Sequence, residues 1–400
     1  MYSIVLGLQF GDEGKGSMVA NLCKQSKNPL VIRFNGGHQA GHTVLHDGIR
    51  HTFSSFGSGT LQGAPTYWSK YCTFFPTACN KEYKIIKEKF GIKPILMVDP
   101  LSPVTTPFDV LANLQNTKNG SVGVGFGTTI ERHESFYKLY FQDLFNKTIL
   151  KAKMENIKKY YNFNTYHYNT WFGDEHYDEK LLNDWYSDID NLINNGIISI
   201  YQSNSIYDGH YNHFIFEGAQ GILLDQDFGF FPNVTRSNTT SKNALEILKG
   251  MDASEDKIAI YYMTRCYQTR HGAGFMSNEN LGELDLINNE NEINVNGGVQ
   301  GTFRKTFLDL DLIKYAVECD THFSDKLNKH LVITCLDQIK DEITYSINEE
   351  FHSSKIEELT NQIKSITGIK NIIHGASEGV FKDYKNNWFS KKDIYSNGYW

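Results

Sequence analysis

Gly7-Leu8-Gln9-Phe10-Gly11-Asp12-Glu13-Gly14-Lys15-Gly16-Ser17 closes an apolar run, Ser3–Leu8, and leads into the helix-like Met18–Lys24. A glycine-rich turn between a strand and a helix aims backbone N–H groups and a helix N-terminus at phosphate oxygens, and Lys15 adds a mobile positive charge. One or two glycines suffice for an ordinary tight turn; four, interleaved with Asp12, Glu13 and Lys15, read as a phosphate cradle. The stretch departs from the standard P-loop, because Gln9 and Gly16 stand where that pattern takes Gly and Ser or Thr. A generic GTPase switch is thereby disfavoured.

Outward from this turn, apolar runs recur at Leu30–Phe34, Ile95–Val98, Phe214–Glu217, Lys257–Met263 and His330–Cys335, with helical stretches between them. The alternation predicts an α/β fold: a mostly parallel central sheet flanked by helices, in a P-loop-like nucleotide-binding architecture. Between about 134 and 202 the chain turns rich in Tyr, Lys, Asn and Asp, and the spacing of Phe141, Leu144 and Leu150 suits amphipathic helices. This segment is expected to be a helical insertion within a single domain spanning 1–400. Asn278–Gly298 and Lys382–Tyr395 are polar and Asn-rich and read as exposed loops.

The 400 residues are 40% hydrophobic, enough for a large core, and the net charge of −7 argues against a nucleic-acid partner, which usually meets a basic face. Cys23, Cys72, Cys79, Cys266, Cys319 and Cys335 lack the close spacing of thiolate metal sites and suit free thiols in a reducing compartment. The start, Met1-Tyr2-Ser3-Ile4, runs straight into a strand with no leader pattern, and no run of about 18 apolar residues occurs. A cytoplasmic protein with no membrane span is expected.

Two further stretches carry chemistry. Asn35-Gly36-Gly37-His38-Gln39-Ala40-Gly41-His42-Thr43 again follows a strand; its glycines let backbone approach a ligand, and His42 is a candidate acid, while His38 serves equally well as a packing residue. Phe216-Glu217-Gly218-Ala219-Gln220-Gly221 places an amide, Gln220, at a strand end, where it can both donate to and accept from an oxopurine edge. The Ser237-Asn238-Thr239-Thr240 cluster beyond it is either a ligand segment or a cap for Ala244–Leu248.

GDEGKG at 11–16, NGGHQAGHT at 35–43, FEGAQGILLD at 216–225 and TRHGAG at 269–274, in that order, resemble the adenylosuccinate synthetase family, with recognisable blocks from Ser3 to about Asp337. The resemblance implies a ligase that joins L-aspartate to C6 of a 6-oxopurine nucleotide through a 6-phosphoryl intermediate, with a nucleoside triphosphate as donor. It makes Asp12 the base at N1, His42 the group that stabilises the transferring phosphoryl, and Lys15 and Gln220 their partners. Gly11, Glu13, Gly14, Lys15, Gly16, Ser17, Gly41, His42 and Thr43 would hold the triphosphate, with Asp337 reading the donor base. The acceptor nucleotide would meet Asp12, Asn35, Gln39, Ser121, Gln220, Thr235 and Arg270. Arg132 would reach it across a homodimer interface, and Asp12 and the Gly41 carbonyl would bind Mg2+.

The departures from the family's pattern fall where substrates are chosen. Gln39 replaces an asparagine, and the loop expected to hold several arginines for aspartate reads Val299–Thr306, leaving Thr302, Arg304 and Lys305. The donor-base segment is Thr334-Cys335-Leu336-Asp337, without the family's lysine, and His374–Ser377 does not keep the last base-contact pattern, so GTP, ATP and a deoxy donor stay open. Thr264–Arg270 resembles a viral branch that acts on dGMP, but that branch often lacks the carboxylate that Asp12 supplies, which favours IMP. The alternatives are a 2-aminoadenylosuccinate synthase and a nucleotide-binding homologue without ligase activity.

Overall fold

In the computed structural model, residues 1–115, 122–162, 177–202, 205–206, 209–288, 292, 294, 301–377 and 379–383 are described. The strands in chain order are β1 (Tyr2–Gly7), β2 (Pro29–Arg33), β3 (His42–His46), β4 (Ile49–Phe53), β5 (Thr66–Trp68), β6 (Leu96–Val98), β7 (Ile198–Ile200), β8 (His213–Glu217), β9 (Ile258–Arg265), β10 (Tyr267–His271), β11 (Phe303–Asp309), β12 (Asn328–Thr334), β13 (Ile343–Ile347), β14 (Glu350–Ser354), β15 (Asn371–Gly375) and β16 (Phe381–Asp383).

Residues 3–7 of β1 are buried on both faces, the mark of a strand inside a parallel sheet. It lies within a ten-stranded sheet of order β16-β15-β12-β9-β1-β8-β2-β5-β6-β7. Nine of these strands run parallel, and β16 pairs antiparallel with β15. Ile4 sits opposite Phe216 of β8 and Ile260 of β9. All three have no exposed surface, and each such side chain contributes about 1.5–3 kcal/mol on burial. On the other face Val5, Ile215 and Val332 pack against Met18, Val19 and Leu22 of the helix Lys15–Lys24. That packing fixes the glycine-rich turn relative to the sheet.

The chain leaves the main sheet at Arg265, passes Cys266 and enters a second sheet of order β10-β11-β13-β14, while β3 and β4 form a separate hairpin. The six strands expected from apolar runs all form, with ends shifted by one or two residues. The three-residue strands β5, β6, β7 and β16 are too short for periodicity to reveal, and of these only β6 lies under a marked apolar run.

The segment expected to be a helical insertion carries helices Lys147–Tyr161 and Tyr177–Asn194, and Phe141, Leu144 and Leu150 are buried as their spacing predicts. It is not helical throughout: Ile198–Ile200 pairs with β6 as the edge strand β7, because three β-branched or small residues after a Gly196 turn extend rather than coil. The polar stretch from Asn278 is without helix or strand as far as 288; 289–291, 293 and 295–300 lie outside the described residues. Phe381–Asp383 forms β16, so the second expected loop begins in a strand, and its remainder from 384 lies outside the described residues. Among the described residues no helix is long and apolar enough to cross a membrane. The six cysteines are free and buried.

Because the sheet is parallel, β1, β2, β8, β9 and β12 all end at one edge, at Gly7, Arg33, Glu217, Arg265 and Thr334. Ligands of open α/β sheets bind beyond this carboxyl edge.

Candidate active site

One cavity of about 1080 Å³ opens at that edge, at the upper end of the range for a single small ligand. The first turn forms its floor. Gly14 takes φ 86°, a left-handed conformation that glycine adopts without strain, and caps the helix that begins at Lys15. The loop folds around its own acid. Glu13 is fully buried, its Oε1 accepts from the N–H groups of Gln9 (3.1 Å) and Gly11 (2.9 Å), and its Oε2 accepts from Lys15 Nζ at 2.5 Å. A side chain at Gly7 would collide with that carboxylate at 2.4 Å. Glu13 therefore organises the turn and restrains Lys15.

The second turn presses against the first. A Cβ at Gly16 would lie 2.8 Å from His42 Cβ and 2.9 Å from Ser58 Oγ. His42 Nδ1 donates to Glu217 Oε1 at 2.5 Å, and Glu217 also accepts from the Ser58 N–H (3.0 Å) and the Ser58 hydroxyl. A carboxylate only accepts, so Nδ1 carries the proton and Nε2 is left for a ligand. Burial alone would raise the Glu217 carboxyl, but His42, Arg33 and Ser58 outweigh it and pull it down to about 2. Burial lowers the His42 imidazole against the pull of Glu217, so the resting pair is a carboxylate and a neutral ring.

Asp12 (φ 63°) lies in the same cavity as His42. Burial raises its carboxyl above the usual range, against the pull of Arg265 and His271. Its Oδ2 is 3.4 Å from His271 Nε2, and its carbonyl accepts from Arg265 Nε at 2.6 Å. A carboxyl shifted upward and opening into a cavity suits a general base.

The lining divides into two lobes. On one side Thr334 donates to the Glu13 carbonyl (3.1 Å), Gly14 packs on Thr334, and Gly379 approaches Ser17, with Cys335, Ala376 and Phe381 beyond. On the other, Gln39 and Gln220 converge on Gly36, next to Thr235 and Asn233. Gln220 Oε1 and both polar atoms of Gln39 are buried with no hydrogen-bond partner among the described residues. An unpaired buried amide costs about 1–3 kcal/mol, so this lobe is built for a ligand that supplies the missing partners.

Gly11, Glu13, Gly14, Lys15, Gly16, Ser17, Gly41, Thr43, Gln39, Gln220, Thr235 and Arg270 thus all line the cavity with Asp12 and His42. Several other expected residues do not. Asn35 is fully buried, with its amide clamping the Ala219 backbone (Oδ1 to N 2.8 Å, Nδ2 to O 3.0 Å), so it shapes the Gln220 turn instead of meeting a ligand. Arg132 is fully buried and forks onto Asp109 (Nε 2.8 Å, Nη2 2.9 Å), with further bonds to the carbonyls of Tyr137 and Val104. It cannot cross to another chain. Asp337 lies outside the lining, where its carboxylate holds the Ser377 N–H (2.7 Å) and hydroxyl. Arg304 pairs with Glu279 at 2.7 Å and the Gly274 carbonyl at 2.9 Å; it, Thr302 and Lys305 also lie outside the lining. Ser121 lies outside the described residues. His38 is a packing residue, bonded to the Val124 carbonyl at 2.8 Å and tilted against the Phe75 ring.

Glu217, Arg265 and His271 were not singled out for the site by sequence. For Glu217 a signal exists: an acid that ends the apolar run Phe214-Ile215-Phe216 is buried and needs donors.

A sequence model described as adenylosuccinate synthetase matches residues 4–384. The adenylosuccinate synthetase of Edwardsiella ictaluri is 30% identical over 365 residues, covering 86% of this chain and 80% of that protein. That of Shewanella amazonensis is 28% identical over 389 residues, covering 94% and 88%. Among solved structures, fully ligated adenylosuccinate synthetase from Plasmodium falciparum superposes with a TM-score of 0.71 at 19% identity, covering 92% of this chain and 96% of that one. Succinoaminodeoxyadenylate synthetase of cyanophage S-2L, bound to dGMP and dATP as energy donor, superposes with a TM-score of 0.57 at 13% identity, covering 93% and 91%. At these identities the two structures speak for the fold alone.

Proposed function

This chain belongs to the adenylosuccinate synthetase family of ligases, and from that membership we propose that it condenses L-aspartate with a 6-oxopurine nucleotide, IMP before dGMP or GMP, using GTP or another nucleoside triphosphate. The observation that carries the reading is the placement of Asp12 and His42 in one cavity between two lobes, one lined by the phosphate cradle and the other by unpaired amides.

Asp12 takes the proton from N1, O6 forms a bond to the γ-phosphorus, and the bond from that phosphorus to its bridging oxygen breaks, leaving a nucleoside diphosphate. The aspartate amine then adds at C6 and phosphate leaves, giving the N-succinyl product. Binding of the anionic triphosphate favours protonation of the His42 ring by a solvent proton, so that Nε2–H donates to a non-bridging oxygen of the transferring phosphoryl. Glu217 accepts from Nδ1–H and stabilises the imidazolium, the role a buried carboxylate plays behind a catalytic histidine. Gln220 meets the purine edge with its amide, which can donate to O6 as well as accept, and so sets the ring plane.

Asp12 and Gly41 both line the cavity, and a carboxylate with a backbone carbonyl is an oxygen-donor set that fits a hard cation. Among the described residues no three His, Cys, Asp or Glu side chains gather as a metal cage, which suits Mg2+, an ion held by one or two protein oxygens and by substrate phosphates. Bound there, Mg2+ would neutralise charge on the donor phosphates. A cytoplasmic homodimer completes the proposal, without Arg132 as its shared residue.

The runner-up, a 2-aminoadenylosuccinate synthase, is favoured by Arg265 and Cys266 and by Arg304 standing alone in its loop. Product formation from IMP, GMP and dGMP, each with aspartate and with GTP or ATP, separates the readings. Turnover of dGMP without IMP would replace the first by the second, and no aspartate-dependent product from any of them would remove both.

A further inference from the structure

With Arg132 committed inside its own chain, the acceptor lobe needs another cation for the phosphate of a mononucleotide. Arg236 is on the cavity wall. Its neighbours in sequence tie it to the acceptor lobe: the Thr235 N–H donates to the Leu224 carbonyl (2.8 Å), Ser237 Oγ accepts from the Gly36 N–H (3.1 Å), and the Ser237 carbonyl accepts from the Gln226 N–H (3.1 Å). Arg236 is thereby held beside the turn that carries Gln220 and the loop that carries Gln39.

The side chain itself is loosely held. Its guanidinium, about half exposed, faces Glu134 (3.1 Å) and Glu131 (3.7 Å), both more than half exposed. Pairs of this kind contribute about 0–1 kcal/mol, so a phosphate dianion can displace them. Arg270, another guanidinium of the cavity lining, differs: both its terminal nitrogens donate to carbonyls, of Phe275 (2.6 Å) and Asn233 (2.9 Å), while the group lies 4.4 Å over Phe10. Arg270 therefore shapes the wall. The glutamates that hold Arg236 lie on the helix Phe126–Glu134, which is capped by Gly125 and carries Phe126, Gly127 and Thr128 into the same cavity.

We propose that Arg236 anchors the 5′-phosphate of the acceptor mononucleotide, moving from Glu131 and Glu134 to the ligand, so that a cation from the same chain does what a cation from a second chain was expected to do. The inference rests on the ligase reading for the identity of the acceptor, but not for the presence of a phosphate.

Equilibrium binding of the acceptor mononucleotide and of its nucleoside to full-length protein tests it, alongside steady-state kinetics. In R236A the mononucleotide binds about 10- to 100-fold more weakly, the range for losing a charged hydrogen bond, while nucleoside affinity and the KM for the donor triphosphate stay within twofold. R236K recovers part of the loss. The double variant E131Q/E134Q frees Arg236 and binds the mononucleotide at least as tightly as the parent. Equal loss for nucleotide and nucleoside in R236A, an unchanged nucleotide affinity, or weaker binding in E131Q/E134Q overturns the proposal. Absence of ligase turnover with a phosphate-dependent R236A effect would remove the reaction and leave the anchor standing.

Discussion

The two lobes of the cavity satisfy their polar groups in opposite ways. On the phosphoryl side Glu13 is saturated by Lys15 and two backbone N–H groups, and Glu217 by His42 and Ser58, all within the chain. On the acceptor side Gln39 and Gln220 are buried with atoms left open. A transferring phosphoryl has a charge distribution common to every triphosphate, so donors can be placed in advance; preorganised charge then need not rearrange during the reaction. A base edge is recognised by the cost of leaving amides unpaired when the wrong ligand enters. One lobe is built for rate and the other for choice.

If that division is sound, disruption should differ in kind between lobes. The largest effect is expected at Asp12, which belongs to neither: Asp12→Ala should lower kcat by about 10³- to 10⁴-fold, seen as lost phosphate release, with nucleotide binding retained. Turnover near the parent rate would sink the assignment of the base.

Arg132→Met tests a polar group that is saturated but remote from the cavity. Removing one partner of a buried pair strands Asp109 and should cost about 3–5 kcal/mol of stability, read as a lower unfolding midpoint in denaturant, with the KM of the acceptor unchanged. A selective rise in that KM would return Arg132 to the site.

Glu217→Gln should lower kcat about 100-fold and leave KM for the acceptor nearly unchanged, since the negative charge that stabilises the His42 imidazolium is lost while the acceptor lobe is untouched. It also predicts a pH signature. Glu217 titrates at about 2 in the folded protein against an ordinary 4.5, so its contribution to stability is full above about pH 4.5 and is lost as the pH falls towards 2. The glutamine variant should lose stability less steeply through that window; an unchanged slope would mean that the carboxylate is not held as described.

The smallest effect is expected on the choosing side. Gln220→Leu should raise the acceptor KM by about 10-fold with little change in the KM of the donor, because one amide partner of the base is removed. A larger fall in kcat than rise in KM would move Gln220 to the rate side and blur the contrast between lobes.

Legibility from sequence followed the same division. The phosphoryl side is local: Gly11 to Ser17 and Gly41 to Thr43 lie in turns whose glycines and charges announce backbone that approaches an anion, and all of them reach the cavity. The acceptor side is assembled from distant segments, and there residue type misled. Asn35 has the chemistry of a ligand group, yet Ala219 lies across from it and takes both its hydrogen bonds. Arg132 and Arg236 are indistinguishable as letters. Asp109, 23 residues upstream, folds under one of them, whereas the other faces exposed glutamates.

By itself the sequence determined the parallel sheet, through apolar runs buried on both faces, and the position of the glycine-rich turn that lines the cavity, through glycines at a strand end. Both depend on interactions within a few residues or on hydrophobic periodicity, which the chain carries openly. Only the tertiary structure decided which arginine, asparagine and aspartate remain available to a ligand, because a polar side chain is defined by whichever partner packing brings within about 3 Å, and such partners come from anywhere in the chain.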